Sequence, residues 1–356
     1  MSTSACSITP VLIRKITRRN PFAIEKLPLI ARIYRWPFDR FSSFWRMGAF
    51  GAPNFLVFLL YQKLIPIKPA GVFKFKTGGQ EKRIQFDARN TQFSAVYFKK
   101  LAGGYEAHIT ALLDVLVPDD GVFLDVGSNW GWFSLFLASR PGFMGKVHAF
   151  EPFPSTFADL VSTVAQAGLS DRIECHNVAL SDRIGDATMH LPYGVQSGGA
   201  KLSELSTGAA PKGKAIKTVT LDSLNVEAAA VMKIDAEGSE FKVLTGAASF
   251  IPAHRPMIVI ESGRYPQEPP RTLGPLRLLR SWGYELFQVA WLRQWEGGPF
   301  LMGDDLDPNP QSEETLALAR FDVEGRFLRP DMNVFACHRD RLPELETKFS
   351  RSEIPG

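Results

Sequence analysis

Residues suited to disulfides and metal clusters are scarce in this chain. Its three cysteines, Cys6, Cys175 and Cys337, are scattered, and no pair has redox or metal-ligand spacing. Its six histidines form no H-E-x-x-H or similar motif. We therefore predict neither a disulfide framework nor a zinc site built from cysteines, and the thiols fit a reducing cytoplasm.

Long apolar segments are also missing. The stretch 55–61 is apolar but too short to cross a bilayer, which takes about 20 residues of helix. No secretory signal and no internal repeat are evident. We therefore predict a cytoplasmic protein without a membrane span.

Acidic residues are rare in the first part of the chain. Residues 1–63 contain ten Lys or Arg against two acids, a net charge of +8, whereas the whole chain carries +4. Tryptophan and phenylalanine are interleaved with these basic residues. Two interpretations stay open: residues 14–61 contact an anionic membrane peripherally, or the segment is a helical cap that buries its aromatic side chains on the main domain. Nucleic acid is not a predicted partner, and the sequence carries no indication of an oligomeric state.

The most informative segment is a strand, a glycine turn and a helix over residues 122–139. The apolar strand carries Asp125 near its end, and the turn runs from Gly127 to Gly131. A second apolar strand ends in Glu151, twenty residues after Gly131. An acidic residue at that position commonly binds the two hydroxyls of a ribose. The segment therefore predicts a site for a nucleoside cofactor.

The spacing of this turn argues against a dinucleotide. A pyrophosphate site has the pattern G-x-G-x-x-G, whereas this turn reads Gly-Ser-Asn-Trp-Gly, and Trp130 would crowd a diphosphate. Asp125, two residues before the first glycine, suits a cation better than an anion. S-adenosylmethionine has a sulfonium, an ammonium and a ribose but no phosphate. Asp125, Gly127, Asn129 and Gly131, followed by Glu151, resemble the first two motifs of class I methyltransferases.

The order of elements predicts an α/β fold with a parallel sheet and crossover helices, a Rossmann-like seven-stranded class I methyltransferase sheet with an amino-terminal helical and aromatic extension. The predicted strands are 122–126, 146–150, 173–180, 230–234, 257–261, 284–289 and 333–337, and the predicted helices include 132–139, 154–167, 241–249 and 273–282. Hairpins are predicted at 71–86 and within 187–221, and a lid loop at 290–330. The predicted division is an extension with a small hairpin (1–85), the methyltransferase domain (86–340) and a tail (341–356).

Carboxylates also follow the fourth and fifth predicted strands. Asp235 ends one strand, Glu237 follows it, and Glu261 ends the next. Carboxylates that share a crevice repel one another unless a proton or a cation relieves them. Three explanations stay open: the sulfonium of the cofactor, a divalent metal held by Asp235, Glu237 and Glu261, or one acid with a raised pKa that serves as a general base. Glu240 is interpreted as a cap of the following helix.

Three segments together resemble the FkbM family of methyltransferases: residues 125–131, 150–152 and 232–240 with the sequel 243–247. The similarity extends over roughly residues 100–262, and 333–338 matches the closing strand. The resemblance implies an S-adenosylmethionine-dependent O-methyltransferase whose acceptor is a hydroxyl of a small molecule or glycan. A divalent metal stays an open addition to that cofactor.

The resemblance also implies roles for individual residues. Asp125, Gly127, Asn129 and Gly131 would hold the amino-acid end of the cofactor, with Ser128 in the same turn. Glu151 would bind the ribose, Glu106 the ammonium, and Ala179 stands where many class I enzymes place an acid near the adenine. Asp235 would orient or deprotonate the acceptor hydroxyl, with Glu237 in support. Two rival functions remain: a scaffold that binds S-adenosylmethionine without catalysis, and an NAD-dependent oxidoreductase.

Overall fold

The structure is a computed structural model that describes residues 8–40, 69–98, 101, 103–190, 201–204, 213–262, 269–295, 298–303, 313–320, 323 and 332–355. Its strands are β1 (Ile8–Ile16), β2 (Phe22–Lys26), β3 (Ala70–Thr77), β4 (Gln80–Asp87), β5 (Val122–Val126), β6 (Lys146–Phe150), β7 (Ile173–His176), β8 (Ala179–Leu180), β9 (Gly185–His190), β10 (Lys201–Glu204), β11 (Lys214–Val219), β12 (Val231–Ile234), β13 (Met257–Ser262), β14 (Tyr284–Trp295), β15 (Gly298–Met302), β16 (Glu314–Arg320), β17 (Met332–His338) and β18 (Ser350–Pro355). Its helices are α1 (Leu29–Arg40), α2 (Ser94–Tyr97), α3 (Ala107–Leu116), α4 (Trp132–Ala138), α5 (Pro154–Ala167), α6 (Glu240–Thr245), α7 (Phe250–His254), α8 (Pro269–Ser281) and α9 (Leu342–Lys348).

One large mixed sheet organises the described residues. Its order is β18-β1-β16-β14-β17-β13-β12-β5-β6-β7, with β15 paired to β14. The strands from β13 through β12, β5 and β6 to β7 run parallel, whereas β17 is antiparallel to both β13 and β14. Seven neighbouring strands of this sheet, in the order β14-β17-β13-β12-β5-β6-β7 with β17 reversed, confirm the predicted class I methyltransferase sheet. The winding changes direction between β5 and β12, where ligands collect in open α/β sheets.

The parallel strands are buried on both faces because helices cover them. All four residues of β12 are buried, and an apolar cluster lies on each side of the sheet. Local sequence signals determine both ends of the flanking helix α5. Pro154 starts the helix, and Gly168, with φ +71°, caps its carboxyl end. Lys233 is the exception to this apolar pattern, because it is a charged residue inside a fully buried strand.

The third predicted strand is divided between two sheets. β7 closes the edge of the main sheet, whereas β8 pairs with β11 in a separate sheet of order β10-β9-β11-β8. The single strand predicted at 173–180 is therefore wrong, and the chain leaves the main sheet at Asn177, whose side-chain amide donates to the carbonyl oxygen of Glu151. The predicted hairpin within 187–221 is confirmed by the antiparallel pairing of β9 and β11.

The amino-terminal region is built into the main sheet. β1 pairs antiparallel with β16 and with β18, so that residues 8–16 and the tail 350–355 extend the same sheet. The division predicted at 1–85, 86–340 and 341–356 stays a prediction. The predicted hairpin at 71–86 is confirmed as β3 and β4, to which β2 adds a third strand. The region contains the helix α1, but residues 41–68, with the aromatic stretch 55–61, lie outside the described part.

Two further predictions are corrected. The helix predicted at 241–249 ends at Thr245, and α7 begins separately at Phe250. The lid predicted at 290–330 contains the second half of β14, together with β15 and β16, which belong to the sheet. Among the described residues, no helix combines the length and the apolar character needed to cross a bilayer.

Candidate functional site

The turn between β5 and α4 brings two strand ends into very close approach. Gly127 has φ +81°, and a Cβ atom at this position would lie 1.8 Å from the carbonyl oxygen of Asp235. Gly131 has φ +97°, and a Cβ there would lie 2.8 Å from Cδ1 of Leu160 on α5. Only glycine combines this backbone conformation with the missing Cβ. The first glycine thus lets the end of β12 meet the turn, and the second lets α5 pack against it.

Asp125 lies beneath the turn. Its Oδ2 accepts hydrogen bonds from Ser134 N at 3.1 Å and from Ser134 Oγ at 2.5 Å. Burial raises the pKa of Asp125 to about 6, against the opposing effects of the Ser134 hydroxyl and the Lys233 ammonium. Asp125 therefore ties the first turn of α4 to the end of β5. It does not line the cleft described below, and its predicted role in holding the cofactor stays a prediction.

Glu151 follows β6 and holds the adjacent loop through hydrogen bonds to backbone N–H groups. Unlike Asp125, it lines the cleft. Its two carboxylate oxygens accept hydrogen bonds from Asn129 N at 3.1 Å and Phe153 N at 2.9 Å. Burial raises the pKa of Glu151 to about 7, although these two backbone bonds favour the charged form. Each oxygen keeps a lone pair for a second donor. Glu151 can therefore accept two hydroxyl groups from a ligand.

An open cleft lies at the carboxyl ends of β5, β6 and β12. It encloses about 990 Å³ of space, including its open mouth. The predicted site residues that line it are Gly127, Ser128, Asn129, Glu151, Ala179, Asp235 and Glu237. The predicted residues Glu106, Asp125, Gly131 and Glu261 do not line it. Phe150 and Val178 give one wall an apolar surface.

Ser128 is the residue of the turn whose side chain lacks a hydrogen-bond partner among the described residues. Its Oγ is buried and has no hydrogen-bond partner within the described part of the chain. A buried hydroxyl without a partner costs about 1–3 kcal/mol, so such groups normally await a ligand or an ordered water. A ligand carboxylate or amine beside the turn would satisfy it.

A buried lysine lies behind the lining of the cleft, next to Asp235. Lys233 is 2% exposed, and its Nζ lies 2.9 Å from Oδ2 of Asp235 and 4.0 Å from Oε2 of Glu106. Its ammonium also lies 4.6 Å from the ring centroid of Phe133. Burial alone would lower the pKa of Lys233, but the surrounding carboxylates raise it above its ordinary value. Lys233 is therefore charged and compensates the acids that the sequence predicted.

Asp235 and Glu261 shift each other's pKa in opposite directions. Burial opposes charge on both, but Lys233 and a hydrogen bond from Glu261 hold the pKa of Asp235 below its ordinary value. Burial and the Asp235 carboxylate raise the pKa of Glu261. The physical result is an ionised Asp235 that accepts a hydrogen bond from a protonated Glu261. Asp235 is thus a weak base but a strong hydrogen-bond acceptor.

Glu106 and Tyr105 complete the cluster from the start of α3. Oε2 of Glu106 accepts a hydrogen bond from Asn333 Nδ2 at 3.1 Å, which links α3 to β17. The charge of Glu106, followed by burial, raises the pKa of Tyr105 well above its ordinary value. Tyr105 lines the cleft and stays a neutral phenol.

Backbone strain is concentrated at this site. Within the described residues, the non-glycine residues with positive φ are Glu106 (42°), Asn129 (51°), Glu237 (51°) and Arg255 (51°). Three of these were predicted as site residues, and they come from three different loops. Left-handed conformations cost about 1–3 kcal/mol at non-glycine residues and cluster at functional sites. The neighbouring Glu240 has the predicted capping role, since its Oε1 accepts from the backbone N–H groups of Ala236 and Gly238.

The predicted metal site is not supported. Asp235, Glu237 and Glu261 do not bring three ligand atoms together, and the group of described residues that does is His148, Glu174 and His176. The reason is Lys233, whose ammonium occupies the compensating position beside Asp235. Sequence analysis missed Lys233 and Tyr105. A lysine inside the apolar run 231–234 was the available indication, since lysines are almost never buried unless they are paired.

Comparisons with known proteins agree with this geometry. Residues 122–286 match the family model for the methyltransferase FkbM domain. The hexuronic acid methyltransferase AglP of Haloferax volcanii is 28% identical over 187 residues, which cover 49% of this chain and 70% of the relative.

Solved structures show weaker similarity. A methyltransferase FkbM from Methylobacillus flagellatus KT is 18% identical with a TM-score of 0.34, and the match covers 56% of this chain and 44% of that one. The chain thus spans less than half of that protein. An O-methyltransferase from Bacillus cereus, solved in complex with SAH, is 14% identical with a TM-score of 0.32, over 62% of this chain and 80% of that one.

The strand order, the glycine turn and the cleft at the change of winding are together those of the Rossmann-like class I methyltransferase fold. Within this fold, residues 122–286 are similar to the methyltransferase FkbM domain.

Proposed function

We propose that this methyltransferase uses S-adenosylmethionine to methylate a hydroxyl oxygen of a sugar. The observation that carries the proposal is the composition of a single cleft. One end has the unpartnered hydroxyl of Ser128 and the carboxylate of Glu151, and the other has the carboxylate of Asp235, which is paired with the buried Lys233 behind the lining. The first end suits an amino acid joined to a ribose, and the second suits a polar acceptor beside a cation.

The cleft residues fit this cofactor chemically. Ser128 Oγ and the turn around Asn129 would bind its amino-acid end, and Glu151 would accept the two ribose hydroxyls. Ala179, next to the apolar wall, would leave room for the adenine ring. The carboxylates near Asp235 outnumber the charge of Lys233, which favours a sulfonium. Asp125 would act indirectly, by holding the turn through Ser134.

The cofactor supplies an electrophilic methyl group when bound. Asp235 would accept a hydrogen bond from the acceptor hydroxyl and point its oxygen toward that methyl group. Because Lys233 lowers the pKa of Asp235, alignment is its main contribution. The hydroxyl proton would pass to Asp235, and from there to solvent, only as the new O–C bond forms and the bond between sulfur and the methyl carbon breaks. Alignment of two reactants can supply about 7–11 kcal/mol. Glu237, strained in the adjacent turn, would support this position.

The sugar acceptor is supported by a relative. AglP is a hexuronic acid methyltransferase, and its similarity extends over 187 residues of this chain. A sugar offers several hydroxyls, and the polar end of the cleft, with Tyr105, Asp235 and Glu237, offers donors and acceptors for them. A nucleic-acid acceptor is not proposed.

Peripheral membrane contact through residues 14–61 stays a prediction. In its described part, several basic side chains are already used within the protein. Arg18 pairs with the buried Glu314 at 3.0 Å and Arg19 with Asp114 at 3.1 Å. Binding of the full chain to anionic vesicles, compared with neutral ones, tests the remainder.

Calorimetry with S-adenosylmethionine and with NAD, followed by a transfer assay, tests the proposed function. We expect saturable binding of S-adenosylmethionine, no binding of NAD, and labelled methyl transfer to hexuronic-acid glycans. Binding of NAD alone would indicate an oxidoreductase. Binding of S-adenosylmethionine without transfer to any carbohydrate or extract component would instead indicate a non-catalytic scaffold.

A further inference from the structure

A second polar cluster lies outside the cleft, at the edge of the main sheet. His148 on β6 and both Glu174 and His176 on β7 share one face, because the parallel register pairs His148 with Glu174 and Phe150 with His176. Glu227, in the segment before β12, reaches the same group. None of these four side chains lines the cleft, and the proposed methyl transfer uses none of them.

Three potential ligand atoms of this cluster form a compact triangle. Nδ1 of His148 and Nε2 of His176 are 3.2 Å apart. In the Glu174 carboxylate, Oε2 lies 3.6 Å from the first nitrogen and Oε1 lies 3.7 Å from the second. One ligand atom from each of the three residues lies within 4.8 Å of the other two. Zinc ligands at about 2.0–2.2 Å in tetrahedral geometry are about 3.4 Å from one another. A small movement of the Glu174 carboxylate would therefore bring the three atoms to the spacing of ligands on one ion.

Glu227 fixes which nitrogen of His148 is free. Its Oε2 lies 3.1 Å from Nε2 of His148, and a carboxylate only accepts, so Nε2 carries the hydrogen. In the neutral ring, Nδ1 then has a lone pair directed toward His176. A carboxylate that holds the second nitrogen of a ligating histidine is the usual outer partner in metal sites.

The burial of the cluster is graded from the sheet to the solvent. The side chain of His148 is 5% exposed, that of His176 is 21% exposed and that of Glu174 is 57% exposed. The two nitrogens are therefore held by the strands, while the carboxylate side opens to water. A metal ion would have room there for a solvent ligand.

We propose that His148 Nδ1, His176 Nε2 and the Glu174 carboxylate bind one divalent transition-metal ion of the zinc type, with Glu227 as the residue that positions His148. Without metal, Nε2–H of His176 donates to Nδ1 of His148. The metal replaces that hydrogen, and the proton moves to the other nitrogen of His176 through solvent. Two imidazoles and one carboxylate select zinc, cobalt or nickel over magnesium and calcium, which prefer all-oxygen sites.

The bound ion would be structural. It would join β6 to the edge strand β7 just before the chain leaves the sheet. The ring of His176 also stacks on Phe150, with centroids 4.5 Å apart, and Phe150 forms a wall of the cleft. The metal site and the cleft are thus neighbours that share one aromatic wall and no ligand.

Cobalt titration of the full, tag-free, metal-stripped chain tests this proposal, because cobalt in a four-coordinate site absorbs visible light. We expect one cobalt per chain, displacement by zinc and no displacement by magnesium. His176→Asn should abolish the absorption, and Glu227→Gln should weaken binding by about 10–100-fold. His254→Asn, a change at an exposed histidine on α7, is the matched control and should bind as the original chain does.

Two results would overturn the proposal: no saturable cobalt binding by the original chain, or equal binding by His176→Asn. If a histidine variant fails to fold, the exposed position provides the answer, since Glu174→Gln should fold and should weaken cobalt binding at least tenfold. Unchanged binding by Glu174→Gln would remove the carboxylate from the ligand set and overturn the three-ligand site. These measurements do not depend on methyl transfer, so failure here leaves the proposed function standing.

Discussion

The two flanks of the glycine turn are held by opposite kinds of interaction. On one flank, Trp130 and Trp132 pack against aromatic rings from the first 93 residues: Phe22 of β2 stacks on Trp132 with centroids 4.3 Å apart, and Phe93, in a short helical turn, stacks on Trp130 at 4.8 Å. On the other flank, Lys233 and several carboxylates occupy a buried space.

The difference between the flanks teaches how one turn serves two purposes. Aromatic packing is insensitive to pH and to small displacements, so it fixes the turn from outside. Buried charges depend on one another and change with protonation, so they respond to a ligand. Trp130, which the sequence predicts to crowd a diphosphate, belongs to the aromatic flank and also lines the cleft, and its Nε1 donates to the carbonyl oxygen of Gln92.

Removal of the buried cation should have the largest effect. Lys233→Met leaves Asp235 and Glu106 without compensation, and breaking a buried pair costs about 3–5 kcal/mol of the free energy of unfolding. Because the pKa of Lys233 is raised, its contribution is fully present at pH 7 and is lost only at strongly alkaline pH. Denaturant unfolding measures the loss. The double variant with Asp235→Asn should recover part of it, and purely additive effects would contradict the coupling.

Loss of the Asp235 charge should affect turnover more than binding. Asp235→Asn keeps the shape but weakens the acceptor that would orient the hydroxyl, and we expect a fall in kcat of about 10²–10³-fold. The affinity for S-adenosylmethionine, measured by calorimetry, should change less than about threefold, which is well under 1.4 kcal/mol. Asp186→Asn, at an exposed carboxylate, is the control. Equal losses of affinity and turnover would refute a role confined to the acceptor.

A change on the aromatic flank should be milder and should leave the chemistry alone. Phe22→Leu removes the stacking on Trp132 at nearly constant volume, and we expect about 1–1.5 kcal/mol less stability. Denaturant unfolding should detect this, with Phe300→Leu, at an exposed ring, as the comparison. A large change in the KM for the cofactor would show that the two flanks are not independent.

The pH dependence of cofactor binding should show the smallest effect. The pKa of Glu151 is raised to about 7, so its ionised fraction grows from about one tenth at pH 6 to about nine tenths at pH 8. Since the ionised form accepts both ribose hydroxyls, affinity should rise over this range by somewhat less than about tenfold. Calorimetry at several pH values checks this. Glu151→Gln should flatten the profile, and an unchanged slope in that variant would exclude Glu151 as its source.

Much of the charged flank could be predicted because its residues directly follow the ends of strands. A glycine turn after an apolar strand, and acids at strand ends, are local patterns, and they correctly placed Gly127, Glu151 and Asp235 along one edge. The position of Asp125 could not be predicted, because its bond to Ser134 depends on how α4 begins. The role of Lys233 could not be predicted, because the function of a single charged residue in an apolar strand depends on partners that lie elsewhere in the sequence.

The aromatic flank and the sheet edge were harder to predict for a different reason. β1 pairs with strands far away in sequence, and no local pattern in residues 8–16 names those partners. The strand predicted at 173–180 failed because its two halves belong to different sheets, a choice made by β11 and not by the segment itself. Long-range pairing thus decided what periodicity could not.

The pairing of β1 has a consequence for how the protein is made. Val11 lies opposite Ala319 of β16 on one side and opposite Ser352 of β18 on the other. These partners are synthesised about 300 residues after Val11, so an emerging chain exposes this strand before its neighbours exist. Such late pairing leaves an open strand edge that can associate wrongly, and a chaperone that covers it would protect it.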